Sequence, residues 1–367
     1  MTRLRLAIIG TGFGRNVQVP AFRRHAGFEL AAIAGSDEAK TRRIAEELGI
    51  AGAFGDWRRM IEEVRPDLVS VATPPDLHHP MVLAALARGS HVLCEKPTAL
   101  HRFQAAEMRD AARRAGRIAA INHEFRFFPA RAFALALVRR GEIGTPRRGQ
   151  ILGRYPIWWR SESRGWTWLS DARRGGGVLG ALGSHHTDCL RLFFGEPVTA
   201  WASVRVDQPR RASPSDPAAE RLATADDACT VHYTFASGAT AIFDLSACAP
   251  YRWERFEIHG SEASLRWDEI GYRLWRLVAG EEARELEIPA EYRLAPREGD
   301  PPLVAPFGVM VERLHQALSG RTIMEPDFDD AVAVQSALDA ARASSAAGAV
   351  VRVDLPTVAW SPTATAP

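Results

Sequence analysis

The sequence predicts an α/β domain whose parallel sheet is covered on both faces, followed by an α+β domain with an open, mostly antiparallel sheet. Three observations predict it. Residues 1–121 alternate short apolar runs with segments of helical period. The turn GTGFG directly follows the first of those runs. Beyond residue 122 the pattern changes to period-two alternation.

In the first part, LRLAII (4–9) and FELAAIAG (28–35) read as buried strands. DEAKTRRIAEELG (37–49) reads as a helix ending at Gly49, and DWRRMIEEV (56–64) as a second one capped by Asp56. DLVSVAT, PMVLAALARG, HVLCE, FQAAEMRDAARRAG and RIAAI continue the alternation, with Pro80 near one helix start and Gly89 after its end. Continuous apolar strands between helices require a doubly wound parallel sheet. After a helix near 129–140 come the alternating runs RRGQILGRY, TAWASVRVD, ACTVHYTF, ATAIFDLSA, RWERFEIHG and ASLRW. ASGA and HGSEAS join two pairs of them as hairpin turns. A helix is expected over 327–348 and a last strand at VVRV. DQPRRASPSDPAAERLATADD (207–227) reads as a mobile surface loop. The expected division is 1–122, 123–355 and a disordered tail, 356–367.

A chain of 367 residues exceeds one ordinary core, and two domains are expected. The formal charge of +2, with acids interspersed among the arginines, argues against nucleic acid as a partner. Cys94, Cys189, Cys229 and Cys248 lie far apart and read as reduced thiols. The opening MTRLRLAIIGTG passes straight into a strand and a glycine turn, and no run approaches a membrane span, so the expectation is a soluble cytoplasmic protein. No metal site is expected, because the histidines have no ligand spacing with the cysteines.

AIIGTGFGRN places Gly10, Gly12, Phe13, Gly14 and Arg15 between the first strand and a helix. Bare backbone there lets a pyrophosphate approach, and the helix N-terminus turns N–H groups toward its charge. This is the fingerprint of a dinucleotide-binding Rossmann domain. One departure stands: the third small position falls on Arg15, with Gly14 one residue early. Arg15 then either faces the cofactor phosphate or marks a changed helix angle. In an NAD-specific enzyme an acid ends the second strand and holds the ribose hydroxyls; here that place is Gly35, with Ser36, Lys40, Arg42 and Arg43 as donors for a 2′-phosphate. Asp37 is either that acid, one register away, or the N-cap of the next helix. The expected cofactor is NADP or NAD, with NADP favoured. VATPPDLHH should meet the same cleft through Thr73, Pro74 and His78, or form a rigid loop with solvent histidines.

GTGFG, VATPPDLH and EKP (95–97), in that order, with NHEFRFFPA (122–130) and GGGVLGALGSHHTD (175–188), resemble the Gfo/Idh/MocA oxidoreductases. The resemblance spans nearly the whole chain. It implies a Rossmann domain and an open-faced second domain, a held NAD or NADP, hydride transfer to or from sugars and polyols, and a homodimer or homotetramer through the second sheet. Residue by residue it implies that Lys96, framed by Glu95 and Pro97, is the catalytic lysine. His185 matches the histidine of the GxHxxD motif and Asp188 its aspartate. Inositol-dehydrogenase-like members carry another catalytic aspartate four residues before that histidine, where this chain has Ala181.

The chemistry reads independently. Oxidising a secondary alcohol needs a proton acceptor, which a neutral histidine supplies, and a cation beside the oxygen, which a lysine supplies. Lys96 follows a strand in an α/β sheet, where ligands bind; its bland alternative is an ion pair with Glu95. His186 competes with His185 from another helix face. YPIWWRSESRGWTWL (155–169) offers Trp158 and Trp166 for stacking on sugar rings, or a rim packed on the second domain or a subunit neighbour. Arg126 and His123 either reach the substrate or form a structural hinge. Three activities fit: a dehydrogenase or reductase of a carbohydrate-like small molecule, a silent dinucleotide-binding sensor, and a redox-assisted lyase or glycosidase.

Overall fold

The computed structural model describes residues 3–216, 218–268 and 272–356. These divide into two compact units, one built from residues up to 124 together with 295–332, the other from 125–294 and 333–355.

In the first unit, β1 (Leu4–Ile9), α1 (Val19–Arg23), β2 (Phe28–Ala34), α2 (Glu38–Glu47), β3 (Gly52–Phe54), α3 (Trp57–Val64), β4 (Leu68–Val71), α4 (His78–Ala87), β5 (His91–Cys94), α5 (Arg102–Ala115) and β6 (Ala119–Ile121) alternate, with the short β3 added between the two helices read from sequence. All six strands are parallel, in the order β3-β2-β1-β4-β5-β6. The chain reverses direction of winding between β1 and β4, which is where such sheets open a ligand crevice. β4 is buried on both faces along its whole length, Ser70 included. Asp56 caps α3 through the Arg58 N–H at 2.9 Å, and Gly116 ends α5 with φ +60°.

The second unit holds α6 (Pro129–Arg139), β7 (Arg148–Pro156), α7 (Ser184–Phe194), β8 (Pro197–Arg205), β9 (Arg210–Ala212), β10 (Glu220–Leu222), β11 (Ala228–Phe235), β12 (Thr240–Ser246), β13 (Cys248–His259), β14 (Ser264–Asp268), β15 (Leu274–Leu277) and β16 (Arg284–Leu286). After α8 (Val304–Leu318) and α9 (Phe328–Ala347), β17 (Val351–Arg352) completes a nine-stranded sheet, β16-β15-β14-β13-β7-β12-β11-β8-β17. Among the described residues β12 and β7 pair parallel and every other neighbour pairs antiparallel. Strict alternation on β11 turns Val231, Tyr233 and Phe235 into the core and Thr230, His232 and Thr234 out. One outward row crosses the sheet in register: Trp201, His232, Ile242, Gln150, Glu257, Arg266, Trp275.

Two expectations are corrected. The segment 295–332 returns to the first unit instead of continuing the second. Phe307 of α8 meets Phe22 edge-on at 5.6 Å, and Asp300 accepts both arms of Arg24 at 2.6 and 2.5 Å. An amphipathic helix carries no local sign of which sheet it will cover. Residues 207–227 are not simply a loop: β9 and β10 form a hairpin, and Arg211, fully buried, donates to Ser170 Oγ at 2.7 Å and Asp227 Oδ2 at 2.9 Å. Its polar composition concealed a buried ion pair. The expected disordered tail lies, from residue 357 on, outside the described residues.

Candidate active site

The glycine turn sits at the carboxyl edge of the parallel sheet. Gly10 has φ +126°, and a Cβ there would stand 2.1 Å from the Ala72 carbonyl oxygen, so only glycine permits the approach to the loop after β4. A Cβ on Gly12 would meet nothing within 4 Å, which leaves its backbone face open. Gly14 lies 2.8 Å, by the same measure, from the Ile8 side chain and fills the close helix–strand packing role of a third glycine. The early glycine is accommodated by a π turn over Gly14–Gln18, closed by the Val19 N–H on the Gly14 carbonyl. This open turn fits a pyrophosphate. Arg15 pairs with Glu47 at 2.8 Å on the surface. Phe13 packs edge-on to Phe307 at 6.4 Å.

At the end of β2, a Cβ on Gly35 would stand 2.5 Å from Thr41 Oγ1 and 2.9 Å from Thr11 Cγ2, so no acid fits there without displacement. Ser36 is exposed beside it. Asp37 caps α2, accepting the Lys40 N–H at 2.9 Å. After β4, His78 does not stand in solvent. It is fully buried between the Thr73–Pro74 loop and the one carrying Lys96, with Nε2 2.7 Å from the Thr73 carbonyl and Nδ1 3.1 Å from that of Pro97, and its neutral ring donates to one of the two. Burial lowers its pKa.

Lys96 follows β5, which ends at Cys94, on the same sheet edge as the glycine turn. Glu95 is buried and accepts Gln18 Nε2 at 2.9 Å and Asn122 Nδ2 at 2.7 Å; Ser70 Oγ donates to Gln18 Oε1 at 2.8 Å. Burial raises the Glu95 carboxyl above its usual range, while the Lys96 charge and the two amides pull it down. The π turn and the lysine loop are thus joined by one buried polar chain. Gln18 and Asn122 were missed from sequence, since nothing local marks an amide as a partner of a glutamate 77 residues away.

In the second unit, α7 carries His185, His186 and Asp188, all buried. His185 stacks face to face on Phe125, with centroids 3.7 Å apart and planes 5° from parallel. His186 packs toward Phe243 and Phe256, and burial drives its pKa well down; it is a neutral core residue. Asp188 accepts both arms of Arg126 at 2.7 and 2.5 Å, which identifies Arg126 as a clip between the 124–127 turn and α7. Trp158 is corrected: it is 2% exposed, lies in the core and carries the Arg211 guanidinium 3.9 Å above its ring. Trp166 donates Nε1–H to the Leu222 carbonyl at 3.2 Å, under Arg221 at 3.6 Å, and so pins the β9–β10 hairpin. Tryptophan content alone does not separate a sugar platform from packing.

Asp226, also missed, accepts the Leu179 N–H at 2.7 Å at the head of the helical segment that leads to His185. A Cβ on Gly177, φ +108°, would stand 2.1 Å from its Oδ1. Burial raises the Asp226 pKa to about 6. A carboxyl raised on folding is bound more tightly to its proton in the native state than in the unfolded one. Its contribution is therefore lost as pH rises from about 4 through about 6 and amounts to roughly 3 kcal/mol of destabilisation above that window. Asp226→Asn, which keeps an acceptor for Leu179, is expected to match or exceed the wild type in urea midpoint at pH ~7.5 and to flatten the change between pH ~5 and ~7.5. A clear loss at the higher pH would show that the charge itself stabilises the fold.

Residues 4–123 match the oxidoreductase family described as having an NAD-binding Rossmann fold, and residues 132–266 match the Gfo/Idh/MocA C-terminal domain. An uncharacterized oxidoreductase of Synechocystis sp. is 30% identical over 80% of this chain and 83% of its own length. A D-apiose dehydrogenase of Paraburkholderia graminis is 29% identical over 74% and 69%. The crystal structure of an oxidoreductase domain protein from Kribbella flavida superposes with a TM-score of 0.87 at 28% identity, covering 96% of this chain and all of that one. Among the described residues no helix is long and apolar enough to cross a membrane.

Proposed function

The chain belongs to the Gfo/Idh/MocA family of NAD-binding oxidoreductases, and from that premise we propose that it transfers hydride between a nicotinamide dinucleotide and a carbinol or carbonyl carbon of a sugar-like substrate, with Lys96 and His185 as the catalytic pair. The observation that carries the reading is the shared sheet edge: the open glycine turn after β1 and Lys96 after β5 end parallel strands on one side of the sheet.

Gly10 and Gly12 would hold the pyrophosphate by backbone approach, with Gly14 packing the helix start against β1. The bound nicotinamide supplies the hydride acceptor or donor. Lys96 Nζ stabilises negative charge developing on the substrate oxygen, held by a backbone that His78 and Glu95 anchor from beneath. A ring nitrogen of His185 takes the hydroxyl proton during oxidation and returns it during reduction.

Purified protein mixed with NADP+ or NAD+ and D-apiose, D-xylose or D-glucose is expected to form reduced cofactor. Cleavage of a glycoside without net reduced cofactor would point instead to redox-assisted elimination. The crowded Gly35 and the capping role of Asp37 favour NADP. Its kcat/KM is expected to exceed that of NAD by about tenfold or more, the worth of a charge-assisted hydrogen bond; the reverse preference would overturn the cofactor choice alone. The outward row from Trp201 to Trp275 supports a homodimer or homotetramer, to be read by sedimentation equilibrium.

A further inference from the structure

The ring of His185 lies flat on that of Phe125. We propose that Phe125 is the positioning residue of the His185 imidazole. The proposal rests on the reading of His185 as the proton-transferring group.

The geometry is a flat stack at 3.7 Å with planes 5° from parallel. Such contact resists tilt of the imidazole out of its plane, and tilt is the motion that would take a ring nitrogen off the line of a hydroxyl proton. Phe125 is itself held on several sides. Arg126, the next residue, grips Asp188 with both arms, and Asp188 lies one turn after His185 on the same helix. Phe128 meets the Phe125 ring edge-on at 5.3 Å. Arg131 of α6 places its guanidinium carbon 5.1 Å from the Phe125 centroid and 4.3 Å from that of Phe256. The turn Glu124–Phe127 is therefore fastened to α7 by an ion pair and by the stack. A carboxylate partner orients an imidazole and also draws a proton onto it. An aromatic partner orients it without adding a charge.

The test compares wild type with Phe125→Leu and Phe125→Tyr, using NADP(H) and the best-oxidised sugar of D-apiose, D-xylose and D-glucose. Phe125→Leu is expected to lower kcat about 30-fold with sugar KM and cofactor affinity within about twofold, and Phe125→Tyr to restore most of kcat. In protein labelled with 13C-histidine, the His185 Cε1–H resonance, assigned by its loss in His185→Asn, is expected upfield in wild type and Phe125→Tyr and downfield in Phe125→Leu. Should Phe125→Leu fail to fold, Phe125→Met takes its place. Unchanged kcat without the ring, or no ring-current shift in the wild type, overturns the positioning role alone when His185→Asn is inactive. Full turnover in His185→Asn removes the reading of His185 as the proton-transferring group and the positioning role with it.

Discussion

Lys96→Met is expected to lower turnover by about 10²–10³-fold, the range lost when one preorganised donor to a developing oxyanion is removed, while NADP(H) affinity stays within about threefold. The split follows from where things sit. The pyrophosphate turn belongs to β1 and its helix, and Lys96 to the loop after β5; the buried chain of Gln18, Glu95 and Ser70 joins them. A methionine keeps the length and apolar stem of lysine and removes the charge, so Glu95 retains Gln18 and Asn122 as partners. Cofactor fluorescence titration and steady-state rates separate the two effects. Turnover that survives the substitution would assign the oxyanion to another group, and a matching loss of cofactor affinity would make Lys96 a binding residue.

Arg211→Met is expected to destabilise the second unit by about 3–5 kcal/mol, the size of breaking a buried pair and leaving one charge behind. Arg211 and Asp227 are both fully buried. Without the guanidinium, Asp227 keeps the Asp207 and Gln208 N–H groups at 2.6 and 3.1 Å but loses its paired cation. Ser170 Oγ and the face of Trp158 lose a partner at the same time. The double variant Arg211→Met/Asp227→Asn is expected to recover most of the loss, because replacing both charges removes the desolvation problem as well as the attraction. Urea midpoints of the three variants read this directly. A single-variant loss below about 1 kcal/mol would show that the pair behaves as a solvated surface bridge.

The two residues differ in how they could be found. Lys96 was legible because its neighbours in sequence, a buried strand before it and a proline after it, are also its structural context. The same holds for Gly10 and Gly12, where a strand, a turn and a helix start lie within a few residues. Arg211 carried no such sign. Asp227 closes the same stretch 16 residues on, and Ser170 and Trp158 come from the tryptophan-rich stretch before it; a polar, proline-rich stretch looks the same whether it is solvated or folded over a core. Trp158 erred in the other direction: it sat in a suggestive stretch and is a buried core side chain, and His78, whose alternative was a solvent position, is buried too.

By itself the sequence determined the layered architecture, the parallel character of the first sheet, the glycine turn and the segments that carry Lys96 and His185. Those follow from hydrophobic period and turn chemistry, which act over a few residues. Only the tertiary structure decided that Glu95 is held by Gln18 and Asn122, that Asp188 is gripped by Arg126, and that the ring beside His185 is Phe125. These contacts join segments tens of residues apart in the chain. Their physical basis is burial, which requires each polar group to find a partner from whichever element packs against it and leaves no trace of that choice in local sequence.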